Sequence, residues 1–176
     1  MRCPAEWHGA ADGGSTTLMD PTAEAAHIAQ RLGPLVLSLA EPLRPRLLAT
    51  LERRAADRYD TWAAAAETAA ERDGLQACAA RERRIAELVE ARYAETDDEA
   101  TRHAPLVGEA AAIYLAAFEG RSRAESFAIQ AALERAGAAA WRGLADSDAA
   151  SRIVLLECAA LEEASAAYLD QLSSRG

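Results

Sequence analysis

The chain has 176 residues, enough for one domain with a sizeable core and too few for two domains of ordinary size. Hydrophobic residues make up 51% of it but aromatic residues only 5%, so the helix formers Ala and Leu dominate. No segment alternates β-branched and aromatic residues as a strand does, and we predict an all-α fold. The formal charge of -9 disfavours nucleic acid and anionic membranes as partners, because phosphate groups and an acidic surface repel each other.

Three cysteines, Cys3, Cys78 and Cys158, are widely spaced and form no Cys-x-x-Cys pair. An odd number at such spacing indicates neither a disulfide framework nor a zinc site. The first residues lack the charged start and apolar segment of a signal peptide, and no stretch reaches the roughly 20 apolar residues of a membrane span. We therefore expect a cytoplasmic protein.

Residues 1–20 are polar, contain Gly and show no periodicity, so we expect them to form a flexible N-terminal tail. The remaining residues, 21–176, are predicted to form a single helical-bundle domain. It begins with a short helix that opens at Pro21, since Pro is favoured in the first helical turn. The pair Gly33-Pro34 is expected to end this helix, because Pro lacks the N–H group that a helix interior needs.

Four long helices follow, each with apolar residues at the three- and four-residue spacing of a core-facing seam. They are predicted at about 45–71, 75–95, 122–144 and 148–173. Asp73-Gly74 is expected to separate the first two. The acidic stretch Glu95–Glu99 and Pro105 are expected to form a long crossover, followed by a short helix at about 107–119. The predicted architecture is an up-down four-helix bundle with short additional helices.

Each of the four long seams contains one Glu where an apolar residue is expected. These residues are Glu52, Glu82, Glu125 and Glu162. Burying a carboxylate without a partner is costly, so a misplaced helix face explains one such case more easily than four. In the last helix, the neighbouring pair Glu162-Glu163 leaves open which of the two faces inward. We interpret the four residues as an inward-facing carboxylate cluster and as candidate metal ligands.

A short sequence repeat indicates a duplicated helical hairpin. The segment Cys78-Ala-Ala-Arg-Glu82 in the second long helix returns as Cys158-Ala-Ala-Leu-Glu162 in the fourth. Each thiol precedes the inward Glu by about one helical turn. The repeat therefore falls where duplication of a two-helix unit would put it.

The segment Glu52-Arg-Arg-Ala-Ala-Asp-Arg-Tyr, followed thirty residues after Glu52 by Glu82, resembles the first hairpin of rubrerythrins in the ferritin-like superfamily. In that family two helices each supply one Glu, and two supply a Glu-x-x-His pair, to a di-iron or di-manganese centre. The resemblance spans residues 45–172 and implies a ferritin-like bundle. By this resemblance Glu52 and Glu125 match the lone Glu residues. Glu82 and Glu162 match the Glu of each pair.

The sequence departs from that family at both histidine positions, which are occupied by Ile85 and Ser165. The histidines of the chain are His8, His27 and His103, and all three lie outside the predicted long helices. Neither Ile nor Ser can replace an imidazole as a nitrogen ligand. The sequence therefore lacks the two histidine ligands of the family's standard di-metal site.

Three functions remain open. The leading interpretation is a degenerate ferritin-like bundle without metal that serves binding or assembly, its carboxylates protonated or paired with arginine. Arginines at suitable positions are Arg58, Arg81, Arg84 and Arg135. The alternative is an oxygen-only di-iron or di-manganese site with oxidoreductase or metal-storage activity, since four carboxylates balance two divalent cations and hard ligands also suit magnesium or calcium. A third interpretation is an unrelated helical protein-protein interaction module.

A homodimer is also predicted, because the two short helices carry more apolar residues than one four-helix core requires. These residues are Ile28, Leu32, Ile113, Leu115 and Phe118. We expect them to form a symmetric interface between two copies of the chain.

Overall fold

Residues 20–173 are described by the computed structural model. This part of the chain contains six α-helices and one short 3-10 helix and no strand, so the all-α prediction is confirmed for it. The elements in order are α1 Pro21–Ser38, the 3-10 helix Glu41–Leu43, α2 Arg44–Ala64, α3 Ala69–Arg92, α4 Asp97–Ala116, α5 Arg123–Ser147 and α6 Arg152–Ser173. None of the helices between residues 20 and 173 is long and apolar enough to cross a lipid bilayer.

The tail predicted at residues 1–20 lies outside the described residues except for its last member. Asp20 accepts a hydrogen bond from the Thr22 N–H group and caps the start of α1. Capping by a carboxylate satisfies one of the free N–H groups at a helix start. Helix α1 therefore begins where it was predicted, at Pro21.

Two helical hairpins form the centre of the fold. Helices α2 and α3 pack along each other, as do α5 and α6, and the two hairpins meet chiefly where α3 faces α6. Helix α1 packs against α5 and α4, and α4 packs against α2. The two additional helices therefore cover the side of the fold on which α2 and α5 lie.

Apolar side chains of the hairpins form two separate clusters. One surrounds Trp141 and includes Ile85 and Leu155. The other surrounds Tyr59 and includes Leu75. Each of the four hairpin helices contributes residues to both clusters, so a layer remains between them at mid-length of every helix. That layer holds the candidate site.

Helix α1 does not end at Gly33-Pro34, as predicted, but continues to Ser38 with Pro34 in its interior. Interior Pro removes a backbone hydrogen bond and crowds the preceding turn, at a cost of roughly 3 kcal/mol. Leu35 and Val36, both beyond the proline, pack against the apolar cluster between α1, α2 and α4. This packing keeps the last turn of the helix in place.

Helix α2 ends and α3 begins before Asp73-Gly74, so the predicted break at that pair is wrong. Thr68 provides the start signal of α3, because its side chain accepts a hydrogen bond from the Glu71 N–H group. Gly74 serves a different purpose within α3. The Tyr168 ring of α6 packs so closely against it that any Cβ at this position would collide with the ring.

The acidic stretch that was predicted to be a crossover is the start of α4. Thr96 and Glu99 form a capping box, in which each side chain accepts a hydrogen bond from the backbone N–H group of the other. Such a box satisfies two N–H groups at a helix start. Pro105 lies inside α4, so the helix predicted at 107–119 begins ten residues earlier and ends at Ala116.

Most apolar residues assigned to a dimer interface are used within the chain. Ile28, Ile113 and Phe118 are buried in the cluster between α1, α2 and α4, and Leu32 packs against that cluster. Leu115 alone of the five is largely exposed, at 47%. These residues therefore do not form the expected interface surface, and the homodimer stays a prediction.

Candidate metal centre

A layer of carboxylates lies between the two apolar clusters of the hairpins. Each hairpin helix contributes one carboxylate to it, namely Glu52 from α2, Glu82 from α3, Glu134 from α5 and Glu162 from α6. Glu82, Glu134 and Glu162 each expose 2% of their surface or less. Glu52 is partly exposed as a residue, but its carboxylate is buried. Glu52, Glu82 and Glu162 each offer an oxygen within 4.8 Å of the others.

Three of the four predicted site residues are thus brought together. Glu52, Glu82 and Glu162 share the layer because the three- and four-residue spacing turns them to the same face as their apolar neighbours. In α6, burial distinguishes the two adjacent candidates. Glu162 is 2% exposed, whereas Glu163 points outward and pairs with Arg142.

Glu125 does not belong to the carboxylate layer. It lies in the first turn of α5, where it forms a capping box with Ser122. Its carboxylate accepts hydrogen bonds from the N–H and hydroxyl groups of Ser122 at 2.8 and 2.7 Å, which lowers its pKa. The predicted inward position is wrong, because a Glu at this place satisfies the free N–H groups of the helix start.

Glu134 is the fourth member of the layer, and the sequence analysis missed it. The sequence does carry a signal for it, since Glu134 lies on a seam with three- and four-residue spacing. The seam consists of Phe127, Ala131, Glu134, Ala138, Trp141 and Ala145. In addition, Glu134 precedes Trp141 by the same seven residues that separate Glu52 from Tyr59. This spacing extends the hairpin repeat.

Three neutral side chains orient Glu134. The Tyr59 hydroxyl and the Gln130 amide each donate a hydrogen bond to Oε1 of Glu134 at 2.7 Å. The Tyr114 hydroxyl donates to Oε1 of Gln130 at 2.8 Å, which directs the Gln130 amide NH₂ group toward Glu134. The Tyr59 hydroxyl and the Gln130 amide thus both act as donors toward Oε1 of Glu134.

The other two buried carboxylates also accept hydrogen bonds from neutral donors. The Ser165 hydroxyl donates to Oε1 of Glu82 at 2.7 Å, and the indole N–H of Trp141 donates to Oε1 of Glu162 at 2.9 Å. An indole can only donate. Glu162 also lies directly against the α5 backbone at Gly137, where an added Cβ would lie 2.9 Å from its Cδ.

Two carboxylate oxygens of the layer have no hydrogen-bond partner in the described part of the chain. They are Oε2 of Glu82 and Oε2 of Glu134, and both are buried. A buried polar atom without a partner costs about 1–3 kcal/mol, and more when it is charged. In both residues the other oxygen is already held by a donor. The free oxygens therefore fit the ligand atoms of a cation site.

Burial and mutual repulsion raise the pKa values of these carboxyl groups. The pKa of Glu52 is raised from 4.5 to about 8. The largest cause is burial and the second is the charge of Glu134, while a hydrogen bond with Glu162 lowers the pKa in part. Burial, followed by the charge of Glu134, raises the pKa of Glu82 well above its usual range. Burial, followed by the charge of Glu52, does the same for the pKa of Glu162. The layer therefore holds four negative charges only when cations compensate them.

No positively charged side chain between residues 20 and 173 forms an ion pair with the carboxylate layer. The arginines that the sequence suggested as partners lie elsewhere. Their contacts are Phe118 for Arg58, Cys78 for Arg81, Glu157 for Arg84 and Asp170 for Arg135. The expected pairing of the carboxylates with arginine is wrong for these four residues, because their side chains have other partners.

Ile85 and Ser165, the two residues that the predicted resemblance matched to histidines, have other partners here. Ile85 is buried in an apolar cluster, and Ser165 orients a carboxylate. His27 is exposed on α1, and His103 lies on α4 beside Glu95. Within the described residues, the layer therefore offers oxygen ligands and no imidazole.

No protein-family model, curated protein or solved structure matches this chain. The resemblance to rubrerythrins therefore rests on the residues of this sequence alone. It therefore stays a prediction.

An apolar cleft leads from the surface to the carboxylate layer. It lies between α1, α2 and α5 and has a volume of about 460 Å³, within the usual range for small-molecule sites. Glu52, Glu134 and Glu162 form part of its wall, whereas Arg44 and the largely exposed Leu37 line it elsewhere. The cleft thus borders the carboxylate layer at Glu52, Glu134 and Glu162 but not at Glu82.

Proposed function

We propose that this chain is a ferritin-like helical protein that binds hard metal cations through a layer of four buried carboxylates. The ligands are Glu52, Glu82, Glu134 and Glu162. Two hairpins with one inward Glu per helix support the ferritin-like arrangement. The proposal takes the oxygen-only metal site in preference to the metal-free bundle that the sequence favoured.

The pair of unsatisfied oxygens, Oε2 of Glu82 and Oε2 of Glu134, carries the proposal. A metal-free layer would need several protonated carboxyl groups, and each proton would need an acceptor. Outside the layer, the Trp141 indole can only donate, and the Ser165 hydroxyl lies as a donor beside Oε1 of Glu82. Donors that hold one oxygen of a carboxylate and leave the other free are the usual outer shell of a metal ligand.

The donor set restricts which cations fit. Carboxylate oxygens without imidazole or thiolate suit manganese, magnesium, calcium or ferric iron better than copper or zinc. Four carboxylates balance two divalent cations in charge. Glu52, Glu82 and Glu162 are close enough to share one cation, and Glu134, whose charge raises the pKa of Glu162, extends the site toward a second.

Titration with Mn²⁺ tests the proposal. Protein purified without chelator is analysed for metal, then stripped and titrated with Mn²⁺, with free Mn²⁺ followed by electron paramagnetic resonance. We expect one or two Mn²⁺ ions per chain. Glu162→Gln is expected to weaken binding at least tenfold, because it removes a charged ligand and keeps the side-chain volume.

Glu163→Gln is the matched control, since Glu163 is adjacent in sequence but exposed. It is expected to bind Mn²⁺ as the parent protein does. Absence of Mn²⁺ binding, or equal binding by both variants, would contradict the proposal. Either result would favour the alternative hypothesis, a metal-free protein that serves binding or assembly.

A further inference from the structure

The apolar cleft exists because the helices that line it carry small residues. Along α1 and α5 these residues are Ala29, Gly33, Ala136, Gly137, Ala140 and Gly143. A Cβ added at Gly33 or Gly143 would meet no atom within 4 Å, so the space is open at both helices. The opposite wall is formed by larger side chains of α2, including Leu48 and Leu51. The cleft is therefore lined by hydrocarbon along most of its length.

One positive side chain lines this hydrocarbon passage. Arg44, at the start of α2, donates from Nε to the Leu39 carbonyl at 3.3 Å. Its guanidinium forms no ion pair with any residue between 20 and 173. Arg44 is half-buried, so an anion beside it would be only partly screened by water. The guanidinium fits the planar carboxylate group in a bidentate manner.

The passage has a defined length and polarity. Arg44 and Glu52 lie on the same helix, eight residues apart. At the rise of an α-helix this corresponds to about 12 Å along the helix axis. The carboxyl groups at the Glu52 end have no positively charged partner among residues 20–173 that could receive an anionic group, whereas Arg44 attracts one. A molecule with one negative head and one apolar chain would therefore enter with its chain toward the layer and its head at Arg44.

We propose that the cleft binds a free monocarboxylate with a single alkyl chain. The carboxylate pairs with Arg44, and the chain lies between Leu48 and Leu51 of α2 and the small residues of α1 and α5. Binding depends on the cleft and on Arg44, not on cations at the carboxylate layer. It therefore does not rest on the proposed metal function.

Displacement of the fluorescent fatty acid cis-parinarate from the full chain measures binding. Dodecanoate is compared with dodecanol and with dodecyltrimethylammonium, in chelator and again with Mn²⁺. We expect dodecanoate to bind at least tenfold more tightly than the alcohol and the ammonium compound. Each added methylene between octanoate and dodecanoate is expected to increase affinity about fourfold, from the free energy of burying one CH₂ group.

Variants separate the contribution of the head from that of the chain. Arg44→Gln is expected to abolish the preference for dodecanoate over dodecanol and to leave dodecanol binding unchanged. Arg54→Gln, at an exposed arginine of the same helix, is its control. Gly143→Leu, which fills the cleft, is expected to weaken both ligands at least tenfold, and Gly33→Leu is a second filling variant.

Gly108→Leu controls for the added bulk, because Gly108 lies on α4 away from the cleft with open space around it. Helical content of every variant is checked by circular dichroism. Equal affinity for the acid and the alcohol, or no displacement of cis-parinarate, would overturn the proposal. Binding that occurs only after removal of residues 1–19 would also overturn it, by identifying that segment as the occupant of the cleft.

Discussion

Raising the pH from about 5 to 8 is expected to destabilise the metal-free protein. The pKa of Glu52 is 4.5 in the unfolded chain and about 8 in the folded one, chiefly because its carboxyl group is buried. The folded state therefore retains a proton that the unfolded state releases in this range. Stability from this proton is complete below pH 4.5 and is lost as the pH rises toward 8. Glu82 and Glu162, whose pKa values are also raised, act with the same sign.

The size of the effect follows from the interval between the two pKa values of Glu52. At about 1.4 kcal/mol per pH unit, that interval corresponds to no more than about 5 kcal/mol. Because Glu52 is partly exposed as a residue, its own contribution to the measured loss should lie below this ceiling. For a chain of this size each kcal/mol changes the melting temperature by roughly 2–4 °C. A fall of up to roughly 20 °C is therefore expected.

Thermal unfolding followed by circular dichroism at a series of pH values measures this fall. One series contains chelator and the other contains Mn²⁺. Since cations must displace the protons of the buried carboxyl groups, their affinity rises with pH. Stabilisation by Mn²⁺ should accordingly be small at pH 5 and largest at pH 8, so that the two series diverge as the pH rises.

Glu52→Gln should reduce the slope of the chelated series, because it removes one of the titrating groups. Glu163→Gln should leave the slope unchanged, because Glu163 is exposed. A melting temperature of the chelated protein that stays constant or rises between pH 5 and 8 would refute the reasoning. It would mean that the buried carboxyl groups are compensated in another way.

Gly137→Ala is expected to weaken Mn²⁺ binding at least tenfold, because the new Cβ displaces the Glu162 carboxylate. It is not expected to destabilise the chelated protein, because Ala favours the helix. Calorimetric titration beside Gly108→Ala, whose Cβ meets no neighbour within 4 Å, checks this, and equal affinities would argue against it. Removing residues 1–19 should leave the melting temperature within about one or two degrees; a larger change in scanning calorimetry would show that they support the fold. Analytical ultracentrifugation at tens of micromolar should detect a homodimer, and a single monomeric species would disprove that prediction.

Helix boundaries show how far local signals extend. Pro34 and the pair Asp73-Gly74 are both strong signals for a helix end, yet each lies inside a helix. Their local cost is roughly 1–3 kcal/mol, which packing can offset. Leu35 packs on the core beyond the proline, and Tyr168 fills the space that Gly74 leaves. These contacts join distant parts of the chain and do not appear in a local pattern.

The sequence by itself determined the helical class of the protein and three of the four inward carboxylates. Ala and Leu favour helices in any context. Three- and four-residue spacing aligns Glu52, Glu82 and Glu162 with apolar neighbours, and the hydrophobic effect turns such a stripe inward whichever helix covers it. Both properties depend on neighbouring residues only, and the sequence contains them in full.

Only the tertiary structure decided which Glu of α5 joins the carboxylate layer. Glu125 and Glu134 both fit helical stripes, but Glu125 is engaged with Ser122 at the helix start, while Glu134 accepts a hydrogen bond from Tyr59 of another hairpin. The same holds for the cleft, since a cavity is the volume that several helices together leave unfilled. The pattern of one helix cannot describe it, because the relative heights and faces of helices are set by their contacts with one another.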